Sequence, residues 1–126
     1  FCHALDKGFR YAFEFRDPGW FREETCDTLK RNGMAFCIFD FAGLRSPDAV
    51  TADFVYIRLH GPLKEPYRGR YPDSFLQERA EAIRRWLGEG RAVYVFFDNT
   101  MEGDAVRDAL KLSHLLTGRT NPEALH

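Results

Sequence analysis

Four stretches of the chain, residues 9–16, 34–40, 54–60 and 91–98, are aromatic or β-branched in character and bounded by Gly, Pro, Asn or Asp, which predicts strands. They are apolar at most positions rather than cleanly alternating. That is the pattern of strands covered on both faces, hence of a parallel sheet flanked by helices. After the third stretch, Leu76, Ala80, Ile83 and Leu87 recur at helical spacing up to Gly88 and Gly90. Ser74 and Gln77 stand as a capping box at its start. A second helix carries Ala105, Ala109, Leu112 and Leu116 on one face and stops at Gly118. Residues 21–32 predict a shorter helix with Gly33 just past its end. Residues 41–53, which include Pro47, have room for a crossover with no more than a helical turn. The order is strand–helix–strand–crossover–strand–helix–strand–helix, an α/β chain with right-handed crossovers. Residues 117–126 read as a flexible tail.

Composition narrows this picture. At 126 residues the chain is one domain in size, and 44% hydrophobic and 15% aromatic residues, twelve of them Phe, are ample for a core. Eighteen Lys plus Arg against nineteen Asp plus Glu leave a net charge of −1, which excludes a strongly basic nucleic-acid tail and an acidic disordered chain. No apolar run approaches a membrane span and no secretory pattern opens the chain. Cys2, Cys26 and Cys37 are an odd set without CxxC spacing, so neither a disulfide framework nor a zinc knuckle is expected, and a cytoplasmic location is. Cys37 sits in an apolar run and reads as a small buried hydrophobe. The first residue is Phe1 rather than Met, which is compatible with numbering that begins inside a longer polypeptide.

Chemistry enters with the polar groups at the carboxyl ends of the strands. Glu14 and Arg16 are two apart and share a face, and Arg58 and His60 repeat the arrangement on the third strand. Asp40 closes the second strand, and Asp98 with Asn99 closes the fourth. In open α/β sheets and in β/α barrels this is the edge that binds ligands. Two readings stand side by side: a shared mouth, or a structural Glu14–Arg58 ion pair with Asp40 and Asp98 as turn residues. The next loop, residues 61–71 (GPLKEPYRGRY), sets Lys64, Arg68 and Arg70 against Glu65 and interleaves Tyr67 and Tyr71. Cations beside rings hold phosphates, carboxylates or stacked bases, and the same composition also fits a solvated basic loop. Trp20 lines a pocket or staples a helix, and Trp86 belongs to the core. No G-x-G-x-x-G, P-loop, G-x-S-x-G or H-E-x-x-H motif occurs. Asp40 and Asp98, with Glu14 and His60, are compatible with a divalent metal but have no diagnostic spacing.

The segments YAFEFRDPGWF (11–21), TADFVYIRLHGP (51–62), YRGRY (67–71) and VYVFFDNTMEGDAVRDALKL (93–112) together resemble the carboxyl-terminal half of the YecE-like family, a domain of unknown function with a TIM-barrel-like fold. The resemblance spans roughly residues 9–116. It implies four parallel βα-type units resembling the second half of a (β/α)8 barrel, so that residues 1–126 form a single half-barrel domain. It marks Glu14, Arg16, Trp20, Arg58, His60, Gly61, Tyr67, Tyr71 and Asn99; where the family ends its last strand in two amides, this chain has Asp98-Asn99. It implies no established reaction. A full barrel has eight strands over about 250 residues, so four strands leave two open sheet edges, and association of chains through them is expected.

Two functions follow as expectations. In the first, the mouth takes a phosphate-bearing or carboxylated small molecule for hydrolysis or isomerisation. Glu14 is then base or metal ligand, His60 its acid–base partner, and Arg16 and Arg58 the anion clamp. As alternate strands of a barrel, the first and third would bring Glu14 near Arg58 and Arg16 near His60. In the second, the chain is a non-catalytic module for a phosphorylated ligand or single-stranded nucleic acid, gripped by Arg16, Arg58, Arg68 and Arg70 and stacked on Trp20, Tyr67 and Tyr71. Asn99 is expected among the ligand-binding residues, and an inactive half-chain completes the range.

Overall fold

A computed structural model describes residues 2, 5, 6, 8–65 and 67–118. Four parallel strands, β1 (Ala12–Phe13), β2 (Ala35–Phe41), β4 (Phe54–Leu59) and β5 (Ala92–Phe97), stand side by side in that order, and β3 (Leu44–Arg45) turns back antiparallel on β2. Helices α1 (Glu23–Arg31), α2 (Asp73–Gly88) and α3 (Asp104–Thr117) follow β1, β4 and β5. The expected parallel βα architecture is present, as a half-barrel.

In-register partners on parallel strands share a face, so the sheet divides cleanly. Phe36, Ile38, Val55, Ile57 and Leu59 form the convex face and pack with Leu76, Ala80, Ile83, Trp86 and Leu112 of the helices into one core. The opposite, concave face carries Cys37, Tyr56, Arg58, Tyr94 and Phe96, in register from strand to strand. Tyr94 and Phe96 stay nearly half exposed there.

Several local expectations need correction. The predicted first strand pairs over two residues only, and 14–16 continue beyond the ladder. The crossover forms no helical turn. Ala42 and Gly43 take positive φ and fold the chain into the β2–β3 hairpin. Beyond it, the hydroxyls of Ser46 and Thr51 accept hydrogen bonds from the N–H groups of Phe39 and Phe36, both at 2.8 Å, and so complete part of the β2 backbone bonding. Buried Arg79 of α2 reaches across to both oxygens of Asp48 at 2.9 and 2.5 Å, fixing this segment to the helix layer. The capping box does not form: Pro72 occupies the N-cap, no side chain caps α2, and Ser74 lies inside the helix. Leu87 is half exposed and Ala109 is exposed, so neither belongs to the core. Trp86 is in the core as expected. Of residues 117–126, Thr117 and Gly118 close α3, with Gly118 at φ +66°, and 119–126 lie outside the described residues.

The loop after β4 is tightly built. Gly61 sits at φ +119°, and a Cβ there would meet the Arg68 carbonyl oxygen at 2.4 Å. Glycine alone fits both conditions. The variant Gly61→Ala is expected to lose about 3 kcal/mol of stability, read as a lower urea midpoint at unchanged slope. A midpoint equal to wild type would mean the loop reseats freely.

Candidate functional site

The concave face gathers its charge at the carboxyl ends of the strands. Glu14, with only 12% of its side chain exposed, is the hub. Its Oε2 accepts the Arg16 Nε–H at 2.8 Å, and its Oε1 lies 3.1 Å from His60 Nε2 and 3.6 Å from Arg58 Nη1. Arg58 in turn donates from Nε at 3.1 Å and Nη2 at 2.9 Å to Oδ2 of Asp98. His60 is completely buried, and its Nδ1 lies 3.5 Å from that same Asp98 oxygen, at ion-pair rather than hydrogen-bond distance. Of the two ring nitrogens Nε2 alone makes a hydrogen bond, to Glu14, and donates it in the Nε2–H tautomer. Below this cluster a cleft of about 360 Å³ is lined by Ala12, Glu14, Cys37, Tyr56 and Arg58.

Aromatic rings close the outer side. Tyr67 adopts φ +66°, a conformation that costs a non-glycine residue energy. Its N–H donates to the His60 carbonyl at 2.7 Å and its carbonyl accepts from Met101 N–H at 3.2 Å. So held, its ring stands edge-on to His60 with centroids 5.7 Å apart, and Phe41 does the same at 5.3 Å. The Arg16 guanidinium lies 4.0 Å from the centre of the Phe41 ring, a cation–π contact, with the Tyr67 side chain near it.

These contacts set the charge states. Burial alone works against ionisation of Glu14, but hydrogen bonds from His60 and Arg16 and the charges of His60 and Arg58 outweigh it. The carboxyl therefore titrates below its ordinary value. Burial, reinforced by the adjacent Glu14, pushes the Cys37 thiol up to about 12. Cys37 is thus a protonated thiol 3.7 Å from Glu14 Oε1, and inert as a nucleophile.

The remaining sequence-marked residues do not join the cluster. Trp20 is half exposed and stacks on Phe15, on the opposite side of the first strand's line from Glu14 and Arg16. Arg68 pairs with Glu65 at 3.2 Å on the surface. Tyr71 is buried against Phe75, its hydroxyl accepting the Gly61 N–H at 2.8 Å. Asn99 is fully buried and donates at 2.8 Å both to the Gly69 carbonyl and to Asp108 Oδ2. Both brace the 61–71 loop from behind. The expected Glu14–Arg58 approach is present, while Arg16 meets Glu14, Phe41 and Tyr67 rather than His60. Asp40 points to the convex side, where burial raises its pKa against the opposing influence of Tyr71 and Arg45. Asp40 and Asp98 therefore lie on opposite faces and cannot share an ion. Among the described residues no group of three or more His, Cys, Asp or Glu is arranged to hold a metal.

Sequence reasoning missed Asp108. It is buried in α3, accepts the Tyr71 N–H at 2.9 Å, and has its pKa raised by burial. The signal was available, because Asp108 falls between Ala105 and Leu112 at i, i+3, i+7 on the buried stripe.

A family model described as a protein of unknown function, DUF72, matches residues 1–125. The chain belongs to this family. YecE-like is another name for it, so the motif resemblance pointed to the same group. A DUF72 protein of Thermotoga maritima superposes with a TM-score of 0.79 at 30% identity, over 86% of this chain and 46% of its own. One from Enterococcus faecalis V583 gives 0.75 at 21% identity, over 90% of this chain and 49% of its own. The chain thus spans about half the length of these DUF72 relatives. No curated protein matches it. No helix among the described residues is long and apolar enough to cross a membrane.

The lowered pKa of Glu14 has a definite consequence for stability. Its ionised form favours the folded state fully above the unfolded value near 4.5, and that contribution disappears as the pH falls through the lower folded value. The stability gap between wild type and Glu14→Gln is therefore expected to shrink progressively below about pH 4.5. Parallel urea titrations from pH 7 to 3 measure it. A gap independent of pH would show that the Glu14 charge is not linked to folding.

Proposed function

We propose that this chain is the carboxyl-terminal half of a DUF72 barrel and contributes a mouth for the phosphate or carboxylate group of a small molecule. Arg16 and Arg58 are the anion clamp, and Glu14 with His60 moves a proton in hydrolysis or isomerisation. The observation that carries this reading is one largely covered carboxylate, Glu14, in contact with two guanidinium groups and an imidazole where parallel strands end. Glu14 is held ionised and so is suited to accept a proton. His60, fully buried beside Glu14, reaches substrate only through that carboxylate, whose proton it shares. Arg58 and Arg16 keep 37% and 44% of their side chains exposed, which leaves guanidinium edges to meet an incoming oxyanion.

The alternative, a non-catalytic module for single-stranded nucleic acid, needs rings and cations in one track. Trp20 is set apart with Phe15, Tyr71 is buried and Arg68 is engaged by Glu65. A compact anion site is therefore favoured over an extended one.

Titration with inorganic phosphate, followed by amide and imidazole NMR, is expected to perturb His60, Arg58 and Arg16. Arg58→Ala should weaken binding about tenfold, the loss of one charge-assisted contact. On a panel of phosphate esters and sugar phosphates, the double variant Glu14→Gln, His60→Ala should abolish whatever turnover wild type shows. Perturbations confined to Lys64, Arg68 and Arg70, or turnover retained in the double variant, would remove these residues from the role.

A further inference from the structure

Of the two guanidinium groups at the mouth, Arg58 is already partly engaged. Its Nε and Nη2 both donate to Oδ2 of Asp98, at 3.1 and 2.9 Å. That contact fills the side of the guanidinium fork on which carboxylates and phosphates dock with two parallel bonds. The backbone fixes where Asp98 stands. Its N–H donates to the Leu59 carbonyl at 2.8 Å, continuing the β4–β5 ladder beyond its last pair, Leu59 and Phe97. For an incoming ligand Arg58 has only its far end, Nη1 and the second hydrogen of Nη2. Glu14 Oε1 lies 3.6 Å from that Nη1.

Charge is equally constrained. Arg16 and Arg58 are matched one for one by Glu14 and Asp98, so with a neutral imidazole the cluster sums to zero. A carboxylate bound there leaves one excess negative charge, and a phosphate dianion leaves two, each beside Asp98. Like charges so juxtaposed repel, and repulsion selects among ligands as attraction does. Asp98 also has an acceptor to offer. Its Oδ1 makes no hydrogen bond among the described residues, and the side chain is about a third exposed. An ionised carboxylate accepts only, so this oxygen calls for an O–H or N–H donor. Acceptors on the two hydrogens of one guanidinium nitrogen stand about 5 Å apart. A ligand oxygen at Arg58 Nη2 therefore sits at that distance from Asp98 Oδ2. A donor on the carbon next to a ligand carboxylate spans the gap.

We infer that Asp98 determines the specificity of the mouth, disfavouring phosphate dianions and favouring a carboxylate whose neighbouring carbon bears a hydroxyl or an ammonium group. The ligand carboxylate meets Arg16 and the free end of Arg58, and its neighbouring donor meets Asp98. An ammonium adds no net charge to the neutral cluster, and a hydroxyl adds only the charge of its carboxylate. This inference rests on the reading of Arg16 and Arg58 as an anion clamp and narrows what the clamp takes.

Propionate, lactate and alanine differ only in the group on that neighbouring carbon, and methyl phosphate supplies the dianion at about pH 7.5. Each is titrated into the protein and followed by the amides of residues 14–16 and 58–60. Lactate, alanine or both are expected to bind about tenfold more tightly than propionate, and the order of the two identifies the donor. Asp98→Ala should erase that preference and tighten methyl phosphate about tenfold. Asp98→Asn, which keeps a polar group beside Arg58, should reproduce the phosphate gain with unchanged circular dichroism. A donor preference that persists in Asp98→Ala would overturn the inference. So would a parallel loss of all four ligands in both variants, the mark of a merely structural Asp98. If no ligand perturbs these amides in wild type or variants, the anion clamp itself fails, and this inference with it.

Discussion

Glu14 is the constraint around which the rest of the mouth is arranged. It stands just beyond the two-residue strand β1, with little water around it, and a carboxylate so placed must be neutralised by its neighbours. Three side chains answer that demand: Arg16 from its own segment, and Arg58 and His60 from the end of β4. Asp98 extends the network to β5 by binding Arg58. Ion networks of this kind add little net stability, because the cost of stripping water from each charge offsets most of the attraction. Hydrophobic packing of the convex face accounts for the fold. The charged face uses that rigid scaffold to hold a geometry that folding alone does not require.

Strand parity made this cluster readable before any coordinates, because residues two apart on an extended segment share a side. Glu14 with Arg16, and Arg58 with His60, follow from that rule alone. The apolar runs likewise revealed four strands and a parallel sheet, and the helical spacing of Leu76, Ala80 and Ile83 revealed α2. Other features depended on geometry that periodicity does not contain. The Ser74–Gln77 spacing matched a capping box, yet Pro72 takes the cap and draws Ser74 into the first turn. Ala109 fits an apolar stripe by spacing, but the buried side of α3 is centred on Ala105, Asp108 and Leu112 and leaves it exposed. Tyr67, Tyr71 and Asn99 were equivalent as polar loop residues. Burial separates them, leaving Tyr67 over the imidazole and the other two behind the loop.

The 61–71 loop shows how strain at the mouth is sustained. Tyr67 in a left-handed conformation and Gly61 pressed on Arg68 are both locally costly. They are offset by a buried polar network: the Tyr71 hydroxyl receives the Gly61 N–H, and Asp108 accepts from Tyr71 and Asn99 while Asn99 holds Gly69. The Asp108 and Asn99 contacts reach back to the β5–α3 unit. The composition of the loop suggested a solvated basic segment, but the backbone is a fixed bracket that places one aromatic ring over His60.

Chemistry and exposure meet on the concave face. Arg58 and Asp98 are about a third exposed, so their contact is weakened by solvent screening, and attraction between unit charges 4 Å apart is roughly four times larger at an effective dielectric of 20 than in bulk water. Covering Tyr56, Tyr94 and Phe96 removes water from beneath the same side chains that bear the charge. The interactions that would stabilise a bound oxyanion or a migrating proton then strengthen without any residue moving. Whatever covers this face would therefore do more than hide apolar surface. It would move the exposed part of the ion cluster into drier surroundings, where carboxylate and guanidinium groups interact more strongly.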